Sequence, residues 1–102
     1  MSNIQAKVEV FVKLHEMESP ADSRVLDLVS EVGELAKDVL KMSDYGRKNF
    51  EKGDAADELG DIFFSLINVA NYFGVDLDEA VNASMNKYSK RIEKGSVDSG
   101  KD

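Results

Sequence analysis

Apolar residues recur every three to four positions along almost the whole chain, and the places where that period lapses divide it into four helices. The first runs from about Asn3 to Glu18 and aligns Ile4, Val8, Phe11 and Leu14 or His15 on one face. Ser19-Pro20-Ala21-Asp22 then combines an N-cap serine, a proline at the first helical position and an acid three residues after the cap. A long second helix continues to about Ser43, with the stripe Val25, Leu28, Val29, Val32, Leu35, Ala36 and Val39. Ser43 to Gly53 is a polar loop carrying Arg47, Lys48 and Lys52. Asp54, followed three residues later by Asp57, caps the third helix, whose stripe is Leu59, Ile62, Phe63, Leu66, Ile67, Ala70 and Phe73 and whose stop is Gly74. Asp76-Leu77-Asp78-Glu79 opens a fourth, with Val81, Met85, Tyr88 and Ile92 at i, i+4, i+7 and i+11. Nothing alternates with period two. The fold class is therefore all-α: one domain over residues 1–94 and a flexible C-terminal tail over 95–102, where almost nothing is apolar.

Two acidic pairs of identical spacing interrupt the apolar pattern. Glu31 and Glu34 lie in Ser30-Glu31-Val32-Gly33-Glu34-Leu35, and Glu58 and Asp61 lie in Asp57-Glu58-Leu59-Gly60-Asp61-Ile62. Residues three apart share a helix face, so each pair presents two carboxylates together. Packing the two helices brings four carboxylates to one place. Each like-charge pair at about 4 Å costs roughly 4 kcal/mol at an effective dielectric near 20, and a cation removes that cost. An all-oxygen cluster suits a hard ion such as Mg²⁺, with phosphate oxygens completing its shell. The plainer alternative is a solvated face, since Asp27, Glu31, Glu34 and Asp38 fall within an arc of about 60°. Two positions weigh against it: Glu31 abuts Leu28 and Leu35, and Glu58 is in line with Ile62 and Val69. Gly33 and Gly60, one inside each pair, each cost about 1 kcal/mol of helix propensity, which suits close approach by a helix or a ligand.

Composition narrows the reading. With 102 residues, 42% of them hydrophobic and 32% charged, the chain is a small folded domain. A core of this size is marginal, so a homodimer or homotetramer is expected. Phe63, Phe64, Ile67, Tyr72 and Phe73 spread around the third helix and point the same way. There is no cysteine and only one histidine, which excludes thiolate and histidine-rich zinc sites. A net charge of −7 argues against a nucleic-acid polymer, while a metal-chelated triphosphate remains compatible because the ion inverts the local electrostatics. No apolar run reaches the length of a membrane span, and no signal-peptide pattern is present. A cytoplasmic place is expected.

Glu-Val-Gly-Glu-Leu-Ala followed by Asp-Glu-Leu-Gly-Asp-Ile-Phe-Phe resembles the MazG family of nucleotide pyrophosphohydrolases, whose pattern is E-E-x-x-E, a spacer, then E-x-x-D. The resemblance extends from about Val25 to Arg91. It implies a four-helix MazG-like bundle completed by oligomerisation, with Glu31, Glu34, Glu58 and Asp61 as ligands of Mg²⁺, for which Mn²⁺ can substitute. Ser30 stands where the family has the first glutamate of its motif. The resemblance further implies hydrolysis of a nucleoside triphosphate between the α and β phosphates, giving a nucleoside monophosphate and pyrophosphate, in a house-cleaning role toward noncanonical or surplus nucleotides. Glu34, with Glu31 beside it, is expected to take the proton of the attacking water. Lys87 and Arg91 match the family's phosphate-contacting cations, the alternative being a solvated cationic face near a helix C-terminus. The family's base lies against the first helix, which makes His15, with Phe11 and Tyr72, a candidate contact, the alternative being an ordinary boundary residue. Arg47, Lys48 and Lys52 either reach the phosphates or solubilise the loop. The rival readings are a relative directed at phosphoribosyl-ATP, dUTP or dCTP, and a non-catalytic helical dimerisation module.

Overall fold

The computed structural model describes residues 3–45 and 50–95 and consists there of four helices: α1 (Asn3–Leu14), α2 (Ala21–Tyr45), α3 (Lys52–Phe73) and α4 (Leu77–Glu93). No described residue belongs to a strand, and no described helix is long and apolar enough to cross a membrane. Arg47, Lys48 and the expected tail beyond Gly95 lie outside the described residues.

The helix ends follow local chemistry. α1 stops at Leu14, four residues before the expected end, because Glu16 adopts the left-handed conformation (φ 53°). Its N–H donates to Lys13 O at 3.3 Å and the Met17 N–H donates to Val12 O at 2.9 Å, a closure that satisfies the last carbonyls. α3 begins earlier than the Asp54 cap suggested: Glu51 is the N-cap, and its N–H donates to Asp54 Oδ2 at 3.1 Å. At the other end Gly74 takes φ 67°, and its N–H and that of Val75 reach back to Asn71 O and Ala70 O. Asp76 caps α4 as its sequence indicated, accepting from the N–H groups of Asp78 and Glu79.

The close helix pairs are α2 with α3 and α1 with α3. Val8 and Val12 of α1 meet Ile67 of α3, which is 1% exposed, with Phe64 and Leu77 packed around them. The buried face of α1 is thus Gln5, Val8 and Val12: Val8 is buried as expected, whereas Ile4, Phe11 and Leu14 of the expected stripe are exposed and Gln5 and Val12 take the remaining places. Gln5 can occupy the core line because its amide is fully hydrogen-bonded (below).

A second correction concerns α2. The residues it turns toward the interior are Arg24, Leu28, Glu31, Leu35 and Asp38, all half-buried, whereas Val25, Val29, Val32 and Val39 face outward. On α4 the whole line of Val81, Met85, Tyr88 and Ile92 is about half exposed or more. The radius of gyration, 16.7 Å, exceeds the ~13 Å of a compact chain of this length. Among the described residues, two of the four apolar stripes are therefore left largely uncovered.

Gly33 and Gly60 approach nothing: an added Cβ would meet no atom within 4 Å at either position. Gly74 has equal space but a positive φ. Gly60→Ala is therefore expected to stabilise the fold by about 1 kcal/mol through helix propensity, and Gly74→Ala to destabilise it by roughly 1–2 kcal/mol through backbone strain. Urea denaturation of the two variants should give midpoint shifts of opposite sign.

Candidate functional site

The seam between α2 and α3 has a readable register. At one end Arg24 Nη1 donates to Asn68 O at 2.9 Å. Further along, the carboxyl of Glu31 senses the charge of Asp61. Seven residues separate Arg24 from Glu31, and seven separate Asp61 from Asn68, so both ties belong to one antiparallel alignment. By the same count, position 34 of α2 corresponds to position 58 of α3.

The environments of the four acids differ. Glu31 and Glu58 are half-buried, and Oε2 of Glu58 is withdrawn from solvent; Glu34 and Asp61 are exposed. Burial holds the Glu31 carboxyl above its ordinary value of 4.5, and the neighbouring charges of Glu34, Asp61 and Asp27 push it the same way. These are the signs of an anionic cluster that a cation would relieve. Among the described residues, however, no three acids or imidazoles stand close enough to hold one ion between them, and mutual repulsion favours that separation. The donor set, four carboxylates, fits a hard divalent ion in its chemistry; as placed, the carboxylates would have to draw together to ligate one.

The cations and aromatics divide into two groups. Arg91 is buried and Lys87 exposed, and both flank Tyr88, with Arg91 Cζ 5.2 Å and Lys87 Nζ 5.6 Å from the ring centroid. His15 stacks at 4.5 Å on Phe11, which meets Phe64 edge-on at 6.1 Å. Phe64 is one turn beyond Asp61 on α3, so the aromatic cluster borders the acidic end of the seam. Tyr72 instead lies at the far end, with Arg24 Cζ 5.4 Å from its ring. Lys52 is the exposed first residue of α3.

Sequence reasoning missed Arg24. Its Nε donates to Ser19 O at 2.6 Å while Nη1 reaches Asn68, tying the start of α2 to α3. The signal was its place on the interior line of α2, two turns before Glu31.

Residues 20–96 match the family model of the MazG nucleotide pyrophosphohydrolase domain. The uncharacterized protein YpjD of Bacillus subtilis (strain 168) is 30% identical over 94 residues, spanning 89% of this chain and 85% of that protein. No solved structure gives a significant match.

The raised pKa of Glu31 makes a signed prediction for protein held in a chelator. The folded state takes up this proton before the unfolded state does, so the folded protein gains stability as the pH falls through the raised value toward 4.5. Glu31→Gln should remove that gain. Urea titrations at stepped pH give the comparison, and identical profiles for the two proteins would contradict it.

Proposed function

The chain belongs to the MazG nucleotide pyrophosphohydrolase domain family, and from that premise we propose that it hydrolyses a nucleoside triphosphate between the α and β phosphates, in a divalent-cation-dependent reaction. The observation that supports this reading is the packing of α2 on α3, in which the charge of Asp61 acts on the half-buried Glu31. The carboxylates of Glu31, Glu34, Glu58 and Asp61 would hold Mg²⁺, or Mn²⁺ in its place; when bound, the ion supplies charge neutralisation for the phosphate chain and its leaving group.

The chain's own residues do the rest. Glu34, exposed and flanked by Glu31, accepts the proton of the attacking water. The water oxygen bonds to the α phosphorus, the α–β anhydride bond breaks, and the products are a nucleoside monophosphate and pyrophosphate. Lys87 and Arg91 contribute charge-assisted hydrogen bonds to the phosphates. The His15–Phe11–Phe64 cluster offers the base an aromatic wall beside Asp61. Removal of noncanonical or surplus nucleotides, in the cytoplasm, is the cellular role that goes with this activity.

The working form is a homodimer or homotetramer. Its support is the exposed stripes: Leu26 and Val29 of α2 are 67% and 61% exposed, and Ile92 of α4 is 64% exposed. Phe63 and Leu66 of α3 line an open apolar groove of about 470 Å³ with Ile4, Leu77 and Val81. Such surfaces exceed the scattered apolar exposure normal for a monomer. Light scattering at micromolar concentration should give at least twice the monomer mass; a monomer would remove this part of the reading.

A panel of nucleoside triphosphates assayed for pyrophosphate release is the direct test of activity. Release should need Mg²⁺ or Mn²⁺ and cease with EDTA. Glu34→Ala should lower turnover by roughly a hundredfold or more, the scale of a lost general base, and should also weaken the rise in melting temperature that Mg²⁺ produces by mass action. Lys87→Ala should raise KM while that thermal shift persists. Inorganic phosphate as the first product, or metal-independent turnover, would exclude the proposed reaction.

A further inference from the structure

We propose that Gln5 is a positioning residue: its amide locks the α3–α4 turn to α1 and thereby sets where α4 presents Lys87 to the phosphate chain. The proposal rests on the reading of Lys87 as a phosphate contact.

Gln5 is fully buried, at 0% exposed, in a core otherwise made of Val8, Val12, Ile67 and Ala70. Its Nε2 donates to Val75 O at 2.8 Å and to Asn71 Oδ1 at 3.2 Å, and its Oε1 accepts from the Leu77 N–H at 2.8 Å. Asn71 Nδ2 returns a bond to Gln5 O at 3.0 Å. One side chain thus grips the end of α3, the turn and the first residue of α4. Within the same turn, Gly74 closes the end of α3 and Asp76 caps the start of α4.

The grip matters because α4 has no extensive face against another helix. With its apolar line exposed, its direction depends on how it leaves the turn and on the buried Arg91 near its end. Lys87 is ten residues beyond Leu77, and a tilt of about 10° at Leu77 moves it by roughly 2.6 Å across a lever of about 15 Å. A charge-assisted hydrogen bond does not survive that displacement, and a misplacement of about 1 Å near reacting groups can already cost a hundredfold.

Gln5→Glu tests the idea with one oxygen in place of one nitrogen. The neutral carboxyl can donate its O–H to Val75 O and accept from the Leu77 N–H, so it keeps the two ties to the turn and α4 and gives up the one to Asn71 Oδ1. The carboxylate faces Val75 O and Asn71 Oδ1 with no donor and breaks the lock. Burial raises the pKa of such a group, so the variant switches with pH whereas the native amide does not titrate. Glu9, Asp76 and Asp78, the acids nearest in sequence to this network, are common to both proteins, and the wild-type profile accounts for them.

The expected result is a near wild-type KM for Mg²⁺-nucleotide at the acid end, rising roughly tenfold as the pH increases, the scale of one lost charge-assisted bond. Adding Lys87→Ala should abolish the rise, because the contact being disturbed is already gone. A KM that tracks wild type throughout, or additive effects of the two substitutions, overturns the proposal. A readout independent of activity uses the absence of native cysteine: spin labels at Lys41→Cys and Lys90→Cys report the α2–α4 distance. Raising the pH should broaden or shift that distance only in the Gln5→Glu background, and an unchanged distribution overturns the positioning role. Absence of pyrophosphate release by the wild-type protein would instead overturn the functional reading, and the distance measurement would still judge Gln5.

Discussion

The antiparallel register of α2 on α3 is the constraint from which the rest of this structure follows. It is fixed at one end by a guanidinium that serves two backbone carbonyls, those of Ser19 and Asn68. Leu28 and Leu35 are half-buried along the same line. Slipping the alignment by one residue would rotate Glu31 away from Asp61 and leave Arg24 without its carbonyl on α3. The same packing that half-buries Leu28 and Leu35 brings the charge of Asp61 to bear on Glu31. The cost is visible in Glu31, whose ionised form is disfavoured by burial and by its neighbours. Strain of this kind is useful where a cation is to be bound, because binding relieves it.

Around that seam the chain is open. Among the described residues the buried hydrophobic side chains are Val8, Val12, Ile67 and Ala70, and each contributes on the order of 1.5–3 kcal/mol or less. The remaining apolar surface is arranged in stripes rather than scattered, which is how a helix is prepared for another helix. The buried polar network at Gln5 performs a different task, joining an otherwise loosely held α4 to the core.

Most of the architecture was legible in the sequence because it depends on local rules. The period of apolar residues identified four helices, and the Asp76 cap and Gly74 stop fell where their chemistry puts them. The acidic pairs were visible for the same reason, since spacing within a helix fixes their common face. What was not legible depends on partners distant in sequence. Gln5 reads as a polar gap in a stripe until Asn71, Val75 and Leu77 are seen around it. Arg24 reads as a surface cation until its two carbonyls are known. The outward turn of the α2 valines was hidden because that helix has two apolar lines, and periodicity alone does not say which one α3 takes. The early end of α1 turns on a non-glycine residue, Glu16, at positive φ, which no sequence rule favours.

The claim at the centre of this account is that the two acidic pairs act as one site across the seam. Paramagnetic broadening of amide resonances by substoichiometric Mn²⁺ addresses it most directly, since the effect depends on distance from the ion and needs no turnover. The account predicts that resonances around Glu31 and Glu34 on α2 and around Glu58 and Asp61 on α3 broaden together and first. Broadening confined to one of the two helices, or spread evenly over other acidic positions such as Glu9, Glu16 and Asp78, would contradict it.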